Sequence, residues 1–179
     1  KEQIKLKSYC SLLGSGPKTK LIFDLDKEQD AILAQGKLTK DTVKLGVGVD
    51  MQSNLCYFKD DLNKIQREGY YLLADNDDEL VASWWAKGKT GQLVEIEEVE
   101  KDYILLKEEV IRGYNNEAYL IKMLPVHQVE ISNLTIINNS KTEGQTSNIC
   151  FRYAYNCLVK DVQSIRANYA HVVFEFSTH

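Results

Sequence analysis

Arg152, Glu175 and His171 are the residues best equipped for chemistry. A cation, a carboxylate and an imidazole make up the inventory for acid–base work on a uronic-acid glycan, with the arginine holding the sugar carboxylate. Spacing gives these types their interest: Arg152 and Glu175 are 175 − 152 = 23 positions apart, and the same offset carries Ile149, Phe151 and Tyr153 onto Val172, Phe174 and Phe176. Strands repeating at that interval would set Arg152 and Glu175 side by side, with His171 and Tyr155 near the strand ends. A surface ion-pair ladder accounts for the same residues with fewer assumptions.

Three rings are candidates for stacking on a sugar: Trp84, Trp85 and Tyr155. Adjacent tryptophans on a strand point to opposite faces, so one of Trp84 and Trp85 would face solvent near Lys87 and Lys89, with core or inter-subunit packing as the competing account. Other motifs carry less. Gly14-Ser15-Gly16-Pro17-Lys18-Thr19-Lys20 lacks the spacing of a phosphate-cradling loop and reads as a turn. Asp75-Asn76-Asp77-Asp78-Glu79 has Leu80 where a calcium loop needs glycine, and reads as a solvated loop. His127 follows Pro125 with no partner visible in the sequence. Asn133-Leu134-Thr135 and Asn138-Asn139-Ser140 match the short glycosylation pattern, but their asparagines suit turn corners. Four cysteines, at 10, 56, 150 and 157, fit neither a disulfide scaffold nor a zinc site, which leaves free thiols. No metal and no cofactor is indicated.

The elements that must position these residues are strands. A second offset of 157 − 129 = 28 carries Val129, Ile131 and Leu134 onto Cys157, Val159 and Val162, the excess over 23 being absorbed by the polar stretch Ser140–Thr146. Short strands repeating at intervals in the twenties, with corners such as Asn138-Asn139 and Asn168, are the signature of a β solenoid. Ile4–Leu6 and Lys20–Leu25 read as strands around the Gly14–Pro17 turn, and Thr42–Asp50 alternates as a strand would. A short helix is predicted near Asp60-Asp61, carrying Leu62 and Ile65 and stopped by Gly69. Tyr70–Ala74, Gln92–Val99 and Tyr103–Leu106 then read as an antiparallel β subdomain, its last two strands joined at Glu100-Lys101-Asp102.

Composition bounds the function. With 22 Lys+Arg against 26 Asp+Glu in 179 residues, a formal charge of −4 and 44% hydrophobic content, the chain has a globular make-up and lacks the basic excess of a general nucleic-acid binder. It contains no apolar run long enough to insert in a membrane and no signal-peptide core.

Three blocks, Ile4 to Phe23, Leu62 to Leu106, and Val129 to Ile136 with the two repeats that follow, resemble the pectin-lyase-like right-handed parallel β-helix family, in its phage tailspike and appendage branch. The resemblance implies an all-β chain with β-helix coils at 1–57 and 126–179 and an inserted antiparallel subdomain at 58–125. It implies a tail protein of the virion, or one of the bacterial surface, that engages bacterial surface polysaccharide, assembles as a homotrimer and serves here mainly as scaffold. The alternative is a polysaccharide lyase or glycoside hydrolase of the same fold, in which Arg152, Glu175 and His171 would be catalytic. Neither the calcium-binding aspartates of pectate lyases nor the Asn-Thr-Asp, paired-Asp and Gly-His-Gly set of polygalacturonases is present. In this family a coil precedes the Ile4 block and others follow Phe176, so the chain resembles an excerpt of a longer protein.

Overall fold

The computed structural model describes residues 2–58, 62–75, 81–84 and 90–178. Among them there is no α-helix, and the chain divides into two compact units, residues 1–37 with 125–179, and residues 38–124.

In the first unit the strand pairs are parallel throughout the described residues. One ladder joins β1 (Ile4–Leu6), β4 (Ile32–Gln35), β13 (Ile149–Arg152) and β16 (Val172–Glu175) in that order. A second joins β11 (Val126–His127) to β14 (Ala154–Tyr155) and is extended by the bridge from Tyr155 to Thr178. In the third, β12 (Glu130–Asn138) lies between β15 (Leu158–Ile165) on one side and both β2 (Ser11–Leu13) and β3 (Lys20–Phe23) on the other.

Both offsets read from the sequence are ladder registers: Ile149 pairs with Val172 and Phe151 with Phe174, while Ile131 pairs with Val159 and Leu134 with Val162. Parallel in-register strands bring like residues together, so the Phe151 and Phe174 rings stack at 4.9 Å and those of Tyr153 and Phe176 at 5.4 Å. The core follows the same logic. Ile32, Ile131, Ile136, Ile149 and Phe151, on strands with a neighbour on each side, are fully buried, while Ile4, Leu12, Val159 and Val162 on the outer strands are only partly covered.

Corners between strands are made by non-glycine residues in the left-handed region. Tyr9, Gln128 and Asn156 form one such set and Tyr153 and Phe176 another, while Asn133 and Asp161 are equivalent left-handed breaks inside β12 and β15, where the ladder register skips them. Asn138, at the end of β12, donates its Nδ2 to Oδ1 of Asn148 at 2.8 Å, and Asn148 in turn donates to Ser164 Oγ at 2.8 Å, so these corner amides are hydrogen-bonded where they are buried.

The second unit is a six-stranded sheet ordered β5 (Lys37–Lys44), β10 (Tyr119–Leu124), β7 (Tyr70–Asp75), β8 (Thr90–Val99), β9 (Tyr103–Leu106) and β6 (Leu55–Tyr57). The pairs of β7 with β10 and β8, and of β9 with β8 and β6, are antiparallel. As expected from the sequence, β8 and β9 form a hairpin, closed by Glu100 N–H donating to Tyr103 O at 2.9 Å.

Three expectations need correction. Residues 38–57, assigned above to the first coils, belong to the antiparallel unit, because β5 lies beside β10 and β6 pairs with β9. The strand expected over Thr42–Asp50 ends at Lys44, after which only single bridges join Leu45 to Phe58 and Val49 to Tyr114. Gly48 explains part of this, since a Cβ there would stand 2.8 Å from Tyr114 O and the backbone needs that close approach. The described part of the expected helix is a 3-10 turn at Leu62–Lys64, with Leu62 and Ile65 buried as the pattern requires; its expected start at Asp60-Asp61 lies outside the described residues.

The left-handed positions make a direct prediction. Asp161 is exposed, has φ 53° and makes no side-chain bond among the described residues, so substitution there acts through the backbone. Asp161→Val should destabilise the fold by about 1–2 kcal/mol and Asp161→Gly should leave thermal stability equal or higher, read by calorimetry on the two variants.

Candidate functional site

The ladder through β13 and β16 places Arg152 directly opposite Glu175. Their side chains meet through Arg152 Nε and Glu175 Oε2 at 2.6 Å, with roughly a third and two-fifths of each still exposed (33% and 43%). Hydrogen bonding to Glu175 holds the Arg152 guanidinium above its ordinary pKa against the opposing effect of partial burial. Arg152 thus engages one oxygen of this carboxylate, Oε2.

His171 does not join them. It precedes β16 at the end opposite Glu175, four positions away, which on an extended strand is roughly 13 Å. Its Nδ1 lies 2.8 Å from Ser164 Oγ, just inside the end of β15. The three residues therefore form a pair and a separate histidine.

Tyr155 is part of a different constellation. In the β11–β14 ladder it pairs with His127, and the His127 ring meets Tyr9 edge-to-face at 4.6 Å between centroids. Tyr9 is 72% exposed and His127 and Tyr155 half-buried, while Val126 and Ala154, alternating with them, turn into the core. Tyr9, His127 and Tyr155 are therefore an aromatic column on the outer side of this ladder. Tyr9 is not legible as part of this column in the sequence, and His127 stands there without a partner, although the offset of 28 leads from Tyr155 back to His127.

Trp84 is 84% exposed, and Trp85, Lys87 and Lys89 lie outside the described residues. Of the acidic stretch only Asp75 is described, and it is no solvated residue. It is buried, 3.6 Å from Arg112, and accepts the Asn115 side-chain amide at 3.1 Å. The glycine-rich turn has its donors in use, with Thr19 N–H bonded to Gly16 O and Ser15 N–H to Thr19 Oγ1. Gly14 is there for closeness, since a Cβ would stand 2.1 Å from Asn133 O. Among the described residues no three His, Cys, Asp or Glu side chains group closely enough to share a metal ion.

Stacked parallel ladders with an antiparallel sheet inserted in sequence define an all-β class of fold. No protein-family model matches the chain, and no curated protein matches it in sequence. Solved structures do match in fold. The Pseudomonas phage phi297 tailspike gp61 is similar over 90% of this chain and 26% of its own, at a TM-score of 0.70 and 14% identity. The Gp54 tailspike of Acinetobacter baumannii bacteriophage AP22, solved in complex with A. baumannii capsular saccharide, is similar over 96% and 29%, with a TM-score of 0.64 and 15% identity. For the Pseudomonas phage LKA1 tailspike gp49 the values are 95%, 29%, 0.59 and 15%. The chain shares the fold of part of these tailspikes and spans less than a third of their length.

All four cysteines are free thiols. Burial pushes Cys56 up to about 12, and burial together with the nearby Asp30 does the same for Cys150. At pH 8 only roughly one in ten thousand of such thiols is ionised, so both should resist iodoacetamide in the native protein and react once it is unfolded, as peptide mass mapping would show. Because unfolding returns each group to its ordinary value of 9.0, the unfolded chain releases protons first as pH rises. Stability should fall from about pH 9 upward, measured by denaturant titration at several pH values.

Proposed function

We propose that this chain is part of a tailspike-like phage tail protein whose right-handed parallel β-helix engages a bacterial surface polysaccharide. The observation that carries the reading is the column Tyr9, His127 and Tyr155, arrayed along one ladder of a fold shared with phage tailspikes. Rings repeating at the spacing of adjacent parallel strands, about 4.8 Å, offer successive faces and edges to the apolar face of a sugar while leaving its hydroxyls to polar neighbours. Tailspike AP22 Gp54, similar in fold, was solved with a capsular saccharide, which supports a ligand of that class. On this reading the chain works in the virion tail and assembles as a homotrimer, which light scattering of the protein would test. Trp84 would be a further contact in the inserted unit.

The lyase or hydrolase reading keeps the Arg152–Glu175 pair as its machinery, with His171 too far along the strand to share a proton with Glu175. Binding with a scaffold role fits better than catalysis, because His171, the other acid–base group of the set, stands apart from the pair.

The test is retention of the protein by a panel of purified capsular and wall polysaccharides, with release of reducing ends and unsaturated products followed in parallel. Retention is expected, and it should weaken at least about tenfold in Tyr9→Ala and Tyr155→Ala, about 1.4 kcal/mol each. Product release that disappears in Glu175→Gln and Arg152→Gln would replace this reading with the enzymatic one. Retention unaffected by the tyrosine variants would remove the column from the site. As a half-exposed ion pair, Arg152–Glu175 should yield a loss of only about 0.2–1 kcal/mol of stability in Glu175→Gln, so a change in activity there would not be a folding artefact.

A further inference from the structure

The offset of 28 that stacks β12 on β15 continues past the strand ends, and there it brings two corners together. Asn138 ends one strand and Asn139 and Ser140 follow it; Arg166, Ala167 and Asn168 stand 28 positions on, just past the end of the other. With Lys141 they line an open cleft of about 530 Å³, within the range of small-molecule sites.

Its chemistry is one-sided. The lining offers amide, hydroxyl, ammonium and guanidinium groups and no carboxylate. Among the described residues the side chains of Lys141 and Arg166 form no ion pair, although the chain as a whole carries an excess of acid. Glu28 lies against Gly144 of the adjoining loop, which also carries Glu143, and neither carboxylate is in the lining. A second cleft, in the antiparallel unit, shows the contrast: there Arg67 donates to Glu97 O at 3.0 Å and Lys107 meets Glu95 at 3.1 Å, so its cations are engaged.

The cleft walls are also held in place. Asn148, fully buried, donates to Arg166 O at 3.3 Å and to Ser164 Oγ, fixing the backbone that carries the guanidinium. Asn168 Nδ2 donates to Thr142 O at 2.7 Å and to Gly144 O, tying the 142–146 loop to the opposite corner. Two uncommitted cations on a held polar wall suit a ligand that brings an anionic group on a polyol ring.

We propose that this corner cleft binds an acidic sugar residue, one carrying a carboxylate or phosphate, with Arg166 and Lys141 on the anion and the Asn139 and Ser140 side chains on ring hydroxyls. The inference deepens the polysaccharide reading by naming the charge class of the glycan, and it rests on that reading for its biological setting.

The test is titration of the isotope-labelled 179-residue protein with galacturonate, galactose 6-phosphate, galactose, acetate and inorganic phosphate, following backbone amide resonances. Galacturonate or galactose 6-phosphate should produce saturable shifts at residues 138–141 and 166–168. Affinity for galactose and for the simple anions should be at least about fivefold weaker, because each supplies only half of the contacts. Which acidic sugar binds better tells carboxylate from phosphate. Arg166→Gln and, at an exposed position chosen to spare the fold, Lys141→Gln should each weaken the response, with resonances of Ile149–Phe151 reporting intact structure. Equal response to galactose, equal response to acetate or inorganic phosphate, shifts confined elsewhere, or no shifts would each overturn the cleft. Retention of the unaltered protein by polysaccharide, insensitive to both variants, would overturn the cleft and leave the polysaccharide reading standing; saturable acidic-sugar shifts without retention by any polysaccharide would do the reverse.

Discussion

The first unit depends on one constraint: parallel strands stack in register only if the chain turns at the same point in every layer. The changes of direction are made by residues in the left-handed region, and these recur in columns, Tyr9 with Gln128 and Asn156 and Tyr153 with Phe176 between strands, and Asn133 with Asp161 inside β12 and β15. A non-glycine residue held there costs about 1–3 kcal/mol, so each column is a sum of small penalties that inward packing must offset. The offset is visible in the core. Ile32, Ile131, Ile149 and Phe151 are fully buried, and the Phe151–Phe174 and Tyr153–Phe176 stacks tie one layer's turn to the next.

The insertion tests how robust that register is. β13 pairs with β4, and β12 with β2 and β3, across the whole of residues 38–124, yet the inner ladders close. Loop closure explains why. Its entropy grows only with the logarithm of length, about 0.6 kcal/mol per doubling. The effective loop is shorter still, since the inserted unit begins on β5 and ends on β10, which are adjacent strands of its own sheet. Leu45 N–H bonded to Ala118 O at 2.8 Å marks that closure. A folded insertion of this kind holds its two ends together, so the loop that the first unit's ladders must close is short.

What is legible in the sequence follows from the same geometry. Consecutive strands separated by constant offsets leave a trace in Ile149/Val172 and Ile131/Val159, and that spacing by itself implies the Arg152–Glu175 contact. The pairing of Ile32 with Ile149 leaves none, because the insertion removes the periodicity and Ile32–Gln35 is too short to stand out. For the same reason residues 38–57 are easily misplaced: alternation around Val43 and Leu45 shows a strand without saying which sheet it joins. Aromatic residues in left-handed turns contradict local preference, and only tertiary stacking reveals why Tyr153 and Phe176 tolerate it. Asp75 looks solvated by its acidic neighbours, but Arg112, which binds it, is distant in sequence.

In-register stacking also sorts the outer surface by what it leaves for a ligand. Where opposite charges fall on one register line, as in Arg152 and Glu175, they partner each other. Rings behave otherwise, because Tyr9 and His127 meet through an edge and Tyr9 remains largely exposed. Corners differ again. There equivalent positions hold Asn138 and Arg166; the buried amide bonds inward to Asn148, and the exposed guanidinium has no carboxylate partner among the described residues. Side-chain groups of the first unit thus stay unneutralised in two places, along a ladder whose side chains cannot neutralise one another and beyond the strand ends where backbone pairing stops.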